Sequence, residues 1–210
     1  MRIVAFAGPS RPSFDERIHA IDWRPPAARG DLDDLDVSED DVVALIDGVM
    51  ITGHSPSPTE CFRLLSRGTR LVGSSSIGAL RAVELRNLGM AGYGWVYQNV
   101  LARSIVADDE LVADLDPRSF AARVVFLANV RFGLEKAERS MAVTPPAARA
   151  IIEELQGMHF SERSRTAVLA TMDRAGLSPE TAEYVLRPDH DIKKIDARLL
   201  LDSITSGQER

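Results

Sequence analysis

Three short apolar runs, each cut off by turn-forming or hydroxyl residues, constrain this chain more than any other feature. Ile3-Val4-Ala5-Phe6-Ala7 runs into Gly8-Pro9-Ser10, and Val42-Val43-Ala44-Leu45-Ile46 into Asp47-Gly48. Arg70-Leu71-Val72-Gly73 runs into Ser74-Ser75-Ser76. The runs are nearly continuous rather than alternating, the pattern of buried parallel strands. Parallel strands need crossovers, and the intervals supply helices. Ser57-Pro58-Thr59-Glu60 has the serine, first-turn proline and third-position glutamate of a capping box. A second helix is predicted from Ile77 to about Leu88, stopped by Gly89. The expected fold class is α/β, a small, mostly parallel sheet with flanking helices over residues 1–115.

Residues 116–210 read as a helical C-terminal portion packed on that core. Asp116-Pro117, Thr144-Pro145, Ser161 and Ser178-Pro179 each resemble a cap before a periodic stretch. Helices are predicted near 117–139, 145–156, 161–175, 179–186 and 191–204. Pro25-Pro26-Ala27-Ala28-Arg29-Gly30 reads as a stiff surface loop.

Composition removes several function classes. Hydrophobic residues are 45% and charged residues 27% of the 210, a globular balance that excludes a disordered chain. A net charge of −6 argues against a protein that tracks nucleic-acid phosphates. No apolar run approaches the roughly 20 residues that span a bilayer, and the first apolar run is too short for a signal-peptide core. The single cysteine, Cys61, excludes a disulfide framework and a multi-cysteine zinc site. The expected compartment is the cytoplasm. The acidic run from Asp31 to Asp41 lacks calcium-loop spacing and reads as a solvated face or a docking patch. His19, His54, His159 and His190 make no metal-ligand spacing. Neither a metal nor a cofactor is implied.

The strongest chemical signal is Gly73-Ser74-Ser75-Ser76-Ile77-Gly78-Ala79-Leu80-Arg81-Ala82-Val83-Glu84. A strand ends in three serines and a helix begins at once, where open α/β sheets place their sites. Ser76 is a candidate nucleophile with helix amides as oxyanion donors, or a helix cap. Arg81 and Glu84 share a helix face and read by default as a surface ion pair. Gly8-Pro9-Ser10 is either an anion-cradling nest or a tight strand-exit turn. Cys61 sits in a first helical turn, where a dipole lowers a thiol pKa unless the residue is simply packed. Asn129, Phe132 and Lys136 share one helix face, and Arg131 lies beside them.

Taken together, the chain resembles the TfuA-like family, small proteins that accompany YcaO enzymes in modifying peptide backbones. The resemblance rests on Phe6-Ala7-Gly8-Pro9, Pro25 to Asp31, Ile46-Asp47-Gly48, Glu60 and the run from Gly73 to Leu85. It continues through Gly89-Met90, Gly92, Gly94, Asp109-Glu110 and Asn129-Val130-Arg131. It implies thioamidation, in which a YcaO partner uses ATP to activate a peptide amide whose oxygen is replaced by sulfur. The TfuA-like component would hydrolyse a thiocarboxylated ubiquitin-like sulfur carrier and support binding of the precursor peptide. A serine paired with a lysine is implied, and the serine falls on Ser76. Where many relatives have His-Lys-Glu, this chain has Pro58-Thr59-Glu60, and its first lysine is Lys136. Lys136 is therefore the first candidate base and His54 the second. Gly8, Asp47, Glu60, Ser75, Arg81, Glu84, Asn129 and Arg131 are the expected supporting residues. A non-catalytic YcaO-binding scaffold and an unrelated serine hydrolase are the alternative readings.

Overall fold

In the computed structural model the three apolar runs form neighbouring strands of one sheet. The structure describes residues 1–12, 21–49, 54–105, 107–112, 116, 118, 119 and 121–206. The strands are β1 (Ile3–Phe6), β2 (Ile21–Arg24), β3 (Val42–Leu45), β4 (Arg70–Ser74) and β5 (Ala91–Tyr93). All pairings are parallel, in the order β2-β1-β3-β4-β5. Ile3 faces both Ile21 and Val42, Val42 faces Arg70, and Val72 faces Ala91. The order reverses at β1. Open parallel sheets place ligands outside the carboxyl ends of the strands at such a switch point.

Between β3 and β4 lies α1 (Pro58–Ser66), opened by the capping box the sequence predicts: the Ser57 hydroxyl accepts from Glu60 N–H and Glu60 accepts from Ser57 N–H. α2 (Ile77–Leu85) follows β4 and ends in a 3₁₀ turn over 86–88, with Gly89 at φ +101°. α3 (Gly94–Leu101) follows β5. α2 packs on β3 and β4. The opposite face of the sheet, presenting Ile3, Ala5, Val42, Ala44 and Val72, is covered by Ala197, Leu200, Leu201 and Ile204 of α8 (Ile192–Thr205). Strand alternation assigns the two faces: Val72 points to α8, and Gly73 beside it points to α2.

The chain divides into two units, residues 1–106 with 193–210, and residues 107–192. Nearly all of the last helix therefore groups with the sheet rather than with the other C-terminal helices. The second unit contains α4 (Leu127–Arg139), α5 (Pro145–Gly157), α6 (Arg165–Arg174) and α7 (Pro179–Val185). Its core gathers Leu127, Val130, Leu134, Ile151, Leu155, Val168, Met172 and Val185. Thr144, Ser164 and Ser178 cap three of these helices through their side chains. The helix expected from 117 begins ten residues later. Asp116 instead closes a local turn, accepting from Arg118 N–H, Ser119 N–H and the Ser119 hydroxyl, and Pro117 lies outside the described residues. No helix among the described residues is long and apolar enough to cross a membrane.

Candidate functional site

Two glycines bring the serine turn against the sheet. A Cβ on Gly73 would stand 2.0 Å from the Gly78 carbonyl oxygen, and one on Gly78 would stand 1.7 Å from the Leu45 carbonyl oxygen. Only glycine allows this approach, which seats the first turn of α2 directly on β3 and β4. Between them, Ser75 is at φ +65°, in the left-handed region that a non-glycine side chain rarely occupies. Ser74, Ser75 and Ser76 are all buried at the carboxyl end of β4. Ser76 holds the N-cap position of α2, yet its hydroxyl makes no capping hydrogen bond. The capping explanation of this serine therefore fails, while its place at a helix N-terminus stands.

At the adjoining ends of β1 and β3 sits a buried polar cluster. Asp47 Oδ2 accepts from Gly8 N–H and Ser10 N–H, both at 2.9 Å, and Oδ1 accepts from the Ser10 hydroxyl at 2.8 Å. The Gly8-Pro9-Ser10 turn does cradle an anion, but the anion is the protein's own carboxylate. Lys193, 2% exposed at the start of α8, brings Nζ to 3.7 Å from Asp47 Oδ1. Its backbone carbonyl accepts from Ser75 Oγ at 2.7 Å, and Ser75 Oγ lies 3.1 Å from Ser74 Oγ. The switch point of the sheet thus carries a carboxylate, a lysine and, on the next strand, the serine turn.

Asp196, one turn further along α8, is also buried. Its Oδ1 accepts from Trp95 N–H at 2.8 Å and its Oδ2 from Val96 N–H at 2.7 Å, so it caps α3 from another element. Burial pushes its carboxyl up to about 6, against the lowering effect of the Val96 and Trp95 amides. Gly94, at φ +94°, makes room: a Cβ there would lie 2.2 Å from Asp196 Cγ. Lys193 and Asp196 are the residues that the sequence reading missed. Their signal was spacing, because Lys193, Asp196, Ala197, Leu200, Leu201 and Ile204 form one helical stripe, which places both charges in the buried register.

Several expected supporting residues have structural partners. Glu60 accepts from Gly30 N–H, Ser57 N–H and the Ser57 hydroxyl, tying the Gly30 loop to α1. Burial raises its carboxyl pKa, but the Ser57 and Gly30 amides and the Ser57 hydroxyl outweigh this and leave it below the ordinary carboxylate value. Glu60→Gln is expected to cost about 1–3 kcal/mol at pH 7, since the buried carboxylate loses one acceptor oxygen and leaves a part-buried donor unpaired. The sign follows from the lowered pKa. Stabilisation by ionised Glu60 is complete above the unfolded value of about 4.3 and disappears as pH falls through the depressed folded value. Urea midpoints of wild type and variant should therefore differ at pH 7 and converge in acid. A constant difference would show that the side chain's shape, not its charge, matters.

Arg81 Nε donates to the Pro56 carbonyl at 2.7 Å, and its Nη1 donates to both Glu84 oxygens at 3.0 and 2.9 Å. The i,i+3 ion pair is present, with the loop before α1 anchored to it. Cys61 is buried and its thiol is pushed up to about 12 by burial, so packing prevails over dipole activation. The acidic run is partly tied down, with Arg63 paired to Asp33 and Asp41 accepting from Ser38 and Arg2 amides. His54 is exposed, and its carbonyl accepts from Arg29 N–H at 2.7 Å. His19 lies outside the described residues.

In the second unit, Arg131 forks onto the fully buried Glu110 at 2.5 and 3.1 Å, and Gln156 donates to the same carboxylate at 3.1 Å. Asn129 Nδ2 donates to Asp191 at 3.1 Å. Lys136 Nζ lies 5.0 Å from the Phe132 ring centroid, as the shared helix face predicts. Asn129, Arg131 and Lys136 belong to this helical unit, whereas Gly8, Asp47, Ser75, Ser76 and Lys193 belong to the sheet. A search of curated proteins gives no match. The family described as TfuA-like protein matches residues 47–164, more than half of the chain and inclusive of Asp47 and the serine turn, so the chain belongs to the TfuA-like protein family.

Proposed function

We propose that this chain is an accessory protein of a YcaO-type enzyme in peptide backbone thioamidation, and that it hydrolyses a thiocarboxylated carrier protein to release sulfide. Membership of the TfuA-like family is consistent with a YcaO-associated accessory role. The observation that carries the hydrolytic part is Ser76: a buried hydroxyl at the carboxyl end of a parallel strand, on a helix N-terminus it does not cap. Ser76 Oγ attacks the thiocarboxyl carbon while its proton passes to a base. The amides at the start of α2 stabilise the oxyanion, the carbon–sulfur bond breaks and sulfide leaves. Water then cleaves the acyl ester with the same base assisting.

Lys193 is the base in this reading. It belongs to the same unit as Ser76, its carbonyl holds the neighbouring Ser75 hydroxyl, and Asp47 waits beside its Nζ. Lys193 Nζ takes the serine proton, beside the Asp47 carboxylate that accompanies it. Lys193 thereby fills the role left vacant by Pro58-Thr59-Glu60. Lys136, held over Phe132 in the helical unit, is not needed. No metal or cofactor enters these steps.

The partner side is tested by reconstitution. The protein is combined with a YcaO enzyme encoded near its gene, ATP, the precursor peptide and limiting sulfide. Mass spectrometry is expected to show oxygen replaced by sulfur in the peptide, with yield or peptide affinity falling when this protein is omitted. Unchanged yield and affinity would remove the accessory role at the YcaO enzyme, the scaffold reading included.

A further inference from the structure

Two glycine-bearing stretches of the family-matched segment, Gly73 to Gly78 and Gly92 to Gly94, both meet the first turn of α8, which lies outside that segment. Ser75 Oγ donates to the Lys193 carbonyl at 2.7 Å on one side of the turn. On the other side, Asp196 takes the Trp95 and Val96 amides at 2.8 and 2.7 Å. A helical turn is stiff, and residues three apart share a face, so the position of 196 sets the position of 193. We infer that Asp196 is a positioning residue for the site: by locking the first turn of α8 onto the start of α3, it holds the Lys193 amine beside Asp47. This rests on the reading of Lys193 as the base.

The geometry is specific to this role. A carboxylate at a helix N-terminus is favourable because two otherwise unpaired amides and the helix dipole meet a negative charge. Gly94 at φ +94° lacks the side-chain atom that would strike the carboxylate. Leu200 and Ile204, further along α8, bind the helix to the sheet by apolar packing. They hold the helix from about two turns beyond the lysine. The stripe on α8 therefore divides into an apolar part that holds the helix on and a polar first turn that aims it.

Because the chain has only three lysines, Lys136, Lys193 and Lys194, lysine acetylation mapped by peptide mass spectrometry reads the placement of Lys193 directly. Lys194, exposed on the same helix, is the internal reference. In the wild type, Lys193 is expected to react at least about tenfold more slowly than Lys194, as buried sites open rarely. Asp196→Ala and Gly94→Ala should bring the two rates together, and Asp196→Asn, which keeps one acceptor oxygen, should fall between. The kcat for sulfide release from a thiocarboxylated carrier should drop in the same order, with little change in KM. Leu200→Ala is the control that weakens α8 without touching the first turn. Should Asp196→Ala not fold, the Asn and Gly94 variants carry the comparison. The inference is overturned if Lys193 stays protected in the folded Asp196 and Gly94 variants. It is equally overturned if Leu200→Ala, at matched stability, exposes Lys193 as much as Asp196→Asn. Protection in the expected order, with no sulfide release by any protein including wild type, upholds Asp196 and overturns the hydrolase reading instead.

Discussion

Gly78→Ala is expected to destabilise the folded protein by more than about 4 kcal/mol. The added Cβ would lie 1.7 Å from the Leu45 carbonyl oxygen and 2.6 Å from its carbon, both backbone atoms of β3 that no rotamer change can move away. Relief requires α2 to lift from the sheet, which also breaks the approach of Gly78 to Gly73 and the packing of the buried Ile77, Ala79 and Ala82. Overpacking against side chains typically costs about 1–3 kcal/mol, and a clash with two rigid backbone segments exceeds that range. A loss above about 4 kcal/mol is a large share of the roughly 5–15 kcal/mol that keeps such a domain folded. Urea unfolding followed by circular dichroism is the measurement. Gly157→Ala is the control: nothing lies within 4 Å of its Cβ position, so that change should be neutral or slightly stabilising. A Gly78→Ala protein as stable as the Gly157→Ala protein would mean that α2 is not seated as described.

The same contact shows why part of the fold was readable from the sequence and part was not. β1, β3 and β4 are buried along their lengths apart from the first residue of β4, and they appear as near-continuous apolar runs. β2 and β5 form the edges. Ile21–Arg24 has one fully buried residue and Ala91–Tyr93 none, so neither carries a hydrophobic pattern strong enough to announce a strand. Caps at Ser57, Thr144 and Ser178 act through side chains as read. Asp116 shares their chemistry but spends its carboxylate on a turn, because the same short acidic side chain suits both.

At the site, Ser76, Asp47 and Gly8 were legible because turn chemistry at a strand's end is local in sequence. Lys193 was not, because its meeting with Asp47 joins residues near opposite ends of the chain. Its only local trace is its register with Leu200 and Leu201 on the buried face of α8, where a lysine is out of place unless it is paired. The short acidic run Asp108-Asp109-Glu110 reads from sequence as another solvated face, yet Glu110 is fully buried. The part-buried Arg131 is its fixed partner, as the Gly30 and Ser57 amides are for the buried Glu60.

Sulfide release from a thiocarboxylated carrier protein, compared between wild type and Ser76→Ala, tests the central claim most directly. Loss of a nucleophile that works with its base as a unit lowers the rate by several orders of magnitude, so release by Ser76→Ala should fall to background. The fold should survive, since the hydroxyl makes no cap for α2 and its removal leaves no cavity larger than one oxygen atom. Binding of the variant to the YcaO enzyme should therefore equal that of wild type. Wild-type release with an inactive Ser76→Ala that still binds the partner is the predicted result. Equal release by both proteins would contradict the account, and so would stimulation of the YcaO enzyme by a wild type that releases no sulfide at all.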